Sequence, residues 1–207
     1  MSIETLKKLR FLVPGIIIFL FWAMLGSFTG DWKVQTSLAP DEVGKTASAF
    51  VLGLLYYVLP LRDWANRRNH DAVNSNISQA LIKIGSDGRN PDKSSWQQIK
   101  PLFYRLVNAD DSLTNQSKRA MFNGLLWTSS ADARAISIIF MIISVAYHFA
   151  FDSQGALMGV FVFAAIAVFT WPISWTLTEM HKRIGDEQIE IIRSFHSSEV
   201  EEFFRNE

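Results

Sequence analysis

Long apolar runs alternate with polar stretches along this chain in a pattern that occurs twice. Residues 11–28, 46–61, 135–151 and 156–177 are almost free of formal charge, and they form two pairs separated by a polar block over 62–134. Crossing about 30 Å of hydrocarbon takes roughly 20 apolar residues, with about 17–25 tolerated. The first, third and fourth runs satisfy this, and the second, with 16 residues, falls just short. The pattern predicts an all-α, polytopic membrane protein with four transmembrane helices in two hairpins and a small helical cytosolic region. The corresponding divisions are a first hairpin over 1–61, a cytosolic helical block over 62–134, a second hairpin over 135–177 and an amphipathic tail helix over 178–207.

Local signals refine these elements. Pro14 falls in the expected first turn of span one, where its missing N–H is harmless. The outer loop over 30–44 contains Pro40, and Pro60 ends span two. Ile77, Ala80, Leu81 and Ile84 recur at helical spacing, so a helix is expected to continue to about Ile84. A turn follows over 85–91. Ser94 or Ser95 caps a helix from Trp96 towards Val107, with Pro101 as a kink or early stop. The run 108–111 breaks it, and a further helix over 115–127 leads to Asp132, a natural cap for span three. In the tail, Met180, Ile184, Ile191, Ile192 and Phe195 form an apolar stripe interrupted by Gln188.

Basic residues orient the spans, because they prefer the cytoplasmic side of short loops. With the N-terminus inside and four spans, Lys33 and Lys45 lie outside and the other 18 of the 20 Lys and Arg lie inside. Dropping the short second span would move the basic block outside, so the asymmetry supports that span. Trp32 then marks the outer interface, with Trp64 and Trp175 at the inner one. Both termini are expected in the cytoplasm of a multi-pass inner-membrane protein. Lys7, Lys8 and Arg10 precede a run longer than a signal-peptide core of roughly 7–15 residues, so span one is expected to be an uncleaved anchor.

Formal net charge is zero, so no global basic field advertises nucleic acid. The absence of cysteine excludes disulfides and thiolate chemistry. No Walker loop, GxSxG or HExxH is present, and His181 and His196 are too loosely spaced for a metal claim. The chain is therefore expected to be no enzyme and to need neither cofactor nor metal.

Four groups of residues can carry function. Arg67, Arg68, Arg105, Lys118 and Arg119, with Trp96 and Tyr104 among them, suit phosphates and stacked bases; they equally suit anionic lipid beside a membrane. His148, near the outer end of span three, can handle protons or ions, or be a hydrogen-bonded interfacial histidine near Asp152. Pro172 can mark a hinge, while Tyr56 and Tyr57 are polar groups in or bordering the spans that can line a pore. Ala49 and Gly53, like Gly155 and Gly159, have the small-xxx-small spacing that lets helices approach closely, within a hairpin or between subunits. No carboxylate is expected within a span, which argues against a coupled pump and leaves a hydroxyl- and apolar-lined path.

The run Leu9–Phe21 (LRFLVPGIIIFLF), the chain's size and its paired hairpins around a small cytosolic block resemble small polytopic effectors of bacterial anti-phage defence, of the Hailong channel type. That resemblance implies an oligomeric channel gated by a nucleotide or oligonucleotide, and it carries over no binding residue. The expected function is a homo-oligomeric ion channel gated through its cytosolic region by an anionic ligand. The alternative is a non-conducting membrane scaffold that recruits a soluble regulatory protein through the block and tail.

Overall fold

A computed structural model describes residues 3–30, 42–59, 61–86 and 95–205. The outer-loop residues Trp32, Lys33 and Pro40, together with Pro60, Ser94 and positions 87–91 of the expected turn, lie outside the described residues. Among the described residues every regular element is helical: α1 Ile3–Thr29, α2 Glu42–Val58, α3 Leu61–Gly85, α4 Trp96–Ala109, α5 Asp111–Phe151, α6 Gln154–Phe195 and α7 Ser197–Arg205. Among the described residues three helices, α1, α5 and α6, are long and apolar enough to cross a membrane. The apolar part of α2 is the short stretch Ala47–Val58.

Two of these helices are far longer than a bilayer needs. At 1.5 Å per residue, the 41 residues of α5 and the 42 of α6 each reach about 60 Å, twice the hydrocarbon thickness. The break expected near residues 128–130 does not occur, because Thr128 and Ser130 return their hydroxyls to Leu125 and Trp127 carbonyls of the same helix. Asp132 is consequently a helix-interior residue, not a cap. The tail likewise begins as the continuation of α6, and the first interruption is at His196. Pro14 also departs from expectation: α1 starts at Ile3, so this proline lies in the helix interior.

The chain forms two compact units. The first comprises Met1–Asn66 and Leu125–Trp175. Its core is Phe21, Leu25, Tyr56, Ile136, Phe140 and Phe163. Phe21, Phe140 and Phe163, one each from α1, α5 and α6, contact one another with ring centroids 5.1–5.7 Å apart. Helices α1 and α2 run antiparallel at very close range. A Cβ on Gly15 would overlap the Ala49 carbonyl, and one on Gly53 would overlap the Phe11 carbonyl. Gly155 abuts the Phe28 carbonyl at the far end of α1, and Gly159 backs onto Ser144 of α5. Large apolar side chains such as Phe149, Phe161, Val168 and Phe169 cover the unit's outside. That inversion suits a lipid solvent.

The second unit comprises Arg67–Gly124 and Thr176–Glu207. Its core takes Ile77 and Leu81 from α3, Ile99, Leu102, Phe103 and Leu106 from α4, Leu113 from α5, Ile184, Ile189 and Ile192 from α6, and Val200 from α7. Helix α4 runs through Pro101 without stopping, because its apolar face is buried along its whole length. At its start the Ser95 N–H and hydroxyl both donate to Gln98 Oε1, at 3.2 and 2.8 Å. Asp110 ends α4 and caps α5, its carboxylate accepting the Ser112 and Leu113 N–H groups at 2.7 and 3.1 Å. The buried stripe of the tail uses Ile184, Gln188, Ile189 and Ile192, whereas Met180 and Phe195 are exposed.

Candidate functional site

The first unit holds a buried polar cluster. Asp132 is fully buried, with Asn66 1%, Tyr56 3% and Arg62 8% exposed. Tyr56 Oη and Asn66 Nδ2 both donate to Asp132 Oδ1 at 3.2 Å. Arg62 Nη2 lies 3.6 Å from Asp132 Oδ2. Asn66 Nδ2 also donates to the Arg62 carbonyl at 3.0 Å, and Arg62 Nη1 donates to the Arg10 carbonyl at 2.7 Å.

The last contact has a backbone cause. Pro14 has no N–H, so the Arg10 carbonyl four residues earlier lacks its intrahelical donor. The Arg62 guanidinium supplies one, and its other edge faces the buried carboxylate. One arginine thus neutralises a buried charge and satisfies a carbonyl exposed by proline. Helices α1, α2, α3 and α5 all meet in this cluster. Asp132 lies just before the apolar run 135–151 and Arg62 just after the run 46–61, so both charges are buried beside the apolar runs and not within them. Their signal in the sequence was the pair of opposite charges, Arg62 and Asp132, flanking two apolar runs on the same expected membrane side.

The residues singled out from the sequence fall in different environments. Tyr56 joins the buried cluster. Tyr57 is exposed, 4.6 Å from the Phe11 ring, with the Arg62 guanidinium 5.3 Å from its own ring centroid. His148 pairs through Nδ1 with the Ser153 carbonyl at 2.9 Å, so Nδ1 carries the hydrogen and closes the tight α5–α6 turn. Asp152 in that turn has a left-handed backbone, φ 49°. Pro172 is exposed within an uninterrupted α6.

In the second unit, α4 gathers an aromatic face. Trp96 lies 5.8 Å from Phe103 and 6.4 Å from Tyr104, and the Lys100 ammonium sits 6.0 Å from the Tyr104 centroid. The other expected ligand cations are distributed. Arg105 faces Glu199 at 4.0 Å, and Arg119 pairs with Glu187 at 3.1 Å. Lys118 donates to Asn115 at 3.1 Å. Arg67 and Arg68 are exposed on α3.

A further cluster surrounds His196. Its Nδ1 is 2.9 Å from Glu199 Oε1 and its Nε2 is 3.1 Å from Asp110 Oδ2. Neutral imidazole has one N–H, so satisfying both carboxylates requires the doubly protonated ring. Hydrogen bonds to Glu199 and then Asp110 accordingly raise the His196 pKa above its ordinary value, and the bond from His196 lowers that of Asp110. Among the described residues no group of three or more His, Cys, Asp or Glu is arranged to hold a metal ion.

Comparison with known proteins yields no match: no family model, no curated protein and no solved structure is similar to this chain.

Proposed function

We propose that this chain is a multi-pass membrane protein that assembles as a homo-oligomeric ion channel, gated by an anionic ligand bound to its polar helical unit. The observation that carries the reading is the division of α5 and α6. Each is about twice the length a bilayer requires, with an apolar part in one compact unit and a polar part in the other. Together with α1 they supply three spans. The antiparallel α2 adds a fourth, which keeps the basic block on the cytoplasmic side with both termini.

The packing supports assembly from several copies. Phe21, Phe140 and Phe163 fill the interior of the first unit, so an ion path runs between copies, along apolar faces that close by dewetting. The ligand surface is the Trp96–Tyr104 face of α4 with Lys100, and the exposed guanidinium groups of Arg67 and Arg68 contribute charge. A nucleotide or oligonucleotide fits this chemistry, and an anti-phage effector role fits such gating. Planar-bilayer recording of purified protein tests the proposal. Ligand-dependent unitary currents are expected, and a monomer in detergent with no conductance under any nucleotide or oligonucleotide would overturn it.

A membrane scaffold is the second reading. It is favoured by the pairing of Arg105 and Arg119 with carboxylates of the same unit, which removes two cations from a ligand site. A stoichiometric soluble partner recovered with a monomeric membrane unit would decide for the scaffold.

A further inference from the structure

Arg134 stands apart from the other arginines of the first unit. It is only partly exposed, and its guanidinium lies 5.9 Å from the Trp171 ring centroid. Among the described residues no carboxylate lies within ion-pair distance of it. The nearest acid along its own helix, Asp132, is turned into the buried cluster and committed to Tyr56, Asn66 and Arg62. A ring face satisfies the flat side of a guanidinium but none of its five N–H donors. Trp171 is 64% exposed and Trp175, one helical turn further along α6, is 66% exposed. Arg134 also lies at the start of the apolar run 135–151, and both tryptophans near the end of the run 156–177. Tryptophans at the ends of apolar runs sit at headgroup depth.

We infer that Arg134, Trp171 and Trp175 form a binding site for the phosphate of an anionic phospholipid in the cytoplasmic leaflet. The guanidinium edge donates a bidentate pair of hydrogen bonds to two phosphate oxygens. Trp171 holds the guanidinium plane, and the two exposed indoles lie along the acyl–headgroup boundary. Charge complementarity selects the occupant: a partly buried cation that meets no acid among the described residues, set against an exposed indole, matches a lipid phosphate better than a protein carboxylate. The inference rests on the membrane reading above.

The test uses the full chain purified in a neutral detergent, with retained phosphatidylglycerol and phosphatidylcholine counted by native mass spectrometry. The wild type is expected to prefer phosphatidylglycerol, and Arg134→Gln to lose about fivefold in apparent affinity for it, the effect of one basic residue at an anionic surface. Arg134→Lys is expected to keep the charge-dependent part and lose the bidentate part. Trp171→Leu keeps the cation and releases its plane, so it is expected to weaken binding as well and serves if Arg134→Gln does not fold. Equal retention of the two lipids by the wild type, unchanged phosphatidylglycerol retention in Arg134→Gln, or complete displacement by millimolar inorganic phosphate would each overturn the site. Carbonate extraction of the wild type from membranes separates the two readings. Release into the supernatant sinks the membrane assignment itself, whereas a carbonate-resistant protein with no lipid preference sinks only this site.

Discussion

Arg62 donates a 2.7 Å hydrogen bond to the carbonyl of Arg10, an acceptor that Pro14 strips of its intrahelical partner. The same guanidinium faces the buried Asp132 carboxylate at 3.6 Å. A proline in one helix, an arginine in a second and an aspartate in a third therefore depend on one another. Removing one member of a buried charge pair leaves the other desolvated and uncompensated, which is far worse than removing both.

Asp132→Ala is accordingly expected to destabilise the protein by about 3–5 kcal/mol, read as a large fall in thermal midpoint in detergent. The double variant Asp132→Leu with Arg62→Met is expected to recover much of that loss. A single and a double variant of equal stability would show that the pair is not buried as described.

Pro14→Ala restores an N–H for the Arg10 carbonyl and reduces its need for Arg62. In a double-mutant cycle, Arg62→Met should then be less damaging in the Pro14→Ala background than in the wild type, with a coupling of about 1 kcal/mol. Strict additivity would refute the link between the proline and the arginine.

Glycine substitutions should separate backbone contact from side-chain contact. Gly15→Ala drives a methyl into the Ala49 carbonyl, which cannot move without displacing α2, so a loss of about 1–3 kcal/mol is expected. Gly185→Ala meets only Ile77 Cγ1 at 3.3 Å and Cδ1 at 3.6 Å. Those atoms can shift, and alanine is favoured over glycine within a helix by about 1 kcal/mol, so this variant should be neutral or slightly stabilising. Denaturation of both variants checks the contrast.

The His196 link should make α7 sensitive to pH. The folded pKa of His196 is raised, so its stabilisation is complete below the ordinary histidine value of about 6.5 and disappears as pH rises through the raised one. The pKa of Asp110 is lowered, so its share is present above the ordinary aspartate value of about 3.9 and is lost as pH falls through the lowered one. Helix α7 is therefore tied most firmly at mildly acidic pH. Amide exchange in Ser197–Arg205, corrected for intrinsic rates, should accelerate above that window in the wild type. In His196→Ala it should be fast throughout, and a flat wild-type profile would contradict the link.

Helical periodicity, apolar run length and turn chemistry made much of the architecture legible in the sequence. The all-helical class, the long apolar stretches of α1, α5 and α6 and the boundary at residues 108–111 follow from local physics, because 3.6-residue spacing and capping act within a few residues. Small residues at fixed spacing marked Ala49 and Gly53, but the α1 backbone at Phe11 and Gly15 that they meet is set by which helices pair. The local reading failed at residues 128–132, where hydroxyls that can cap a helix instead fold back onto it, and at Pro14, where a longer helix absorbed the proline.

The sequence by itself determined the composition of this protein's parts: apolar helices, a polar helical region and the residue types able to bear charge. Only the tertiary structure decided which charges meet. Arg62 and Asp132 are 70 residues apart, and no local rule joins them; burial forces the pairing, since an isolated charge there would be prohibitively desolvated. Arg105 and Arg119 meet carboxylates at the exposed surface, whereas Arg134 meets an indole. Which partner each cation takes is set by the packing of distant helices, and that information exists only once the chain has folded.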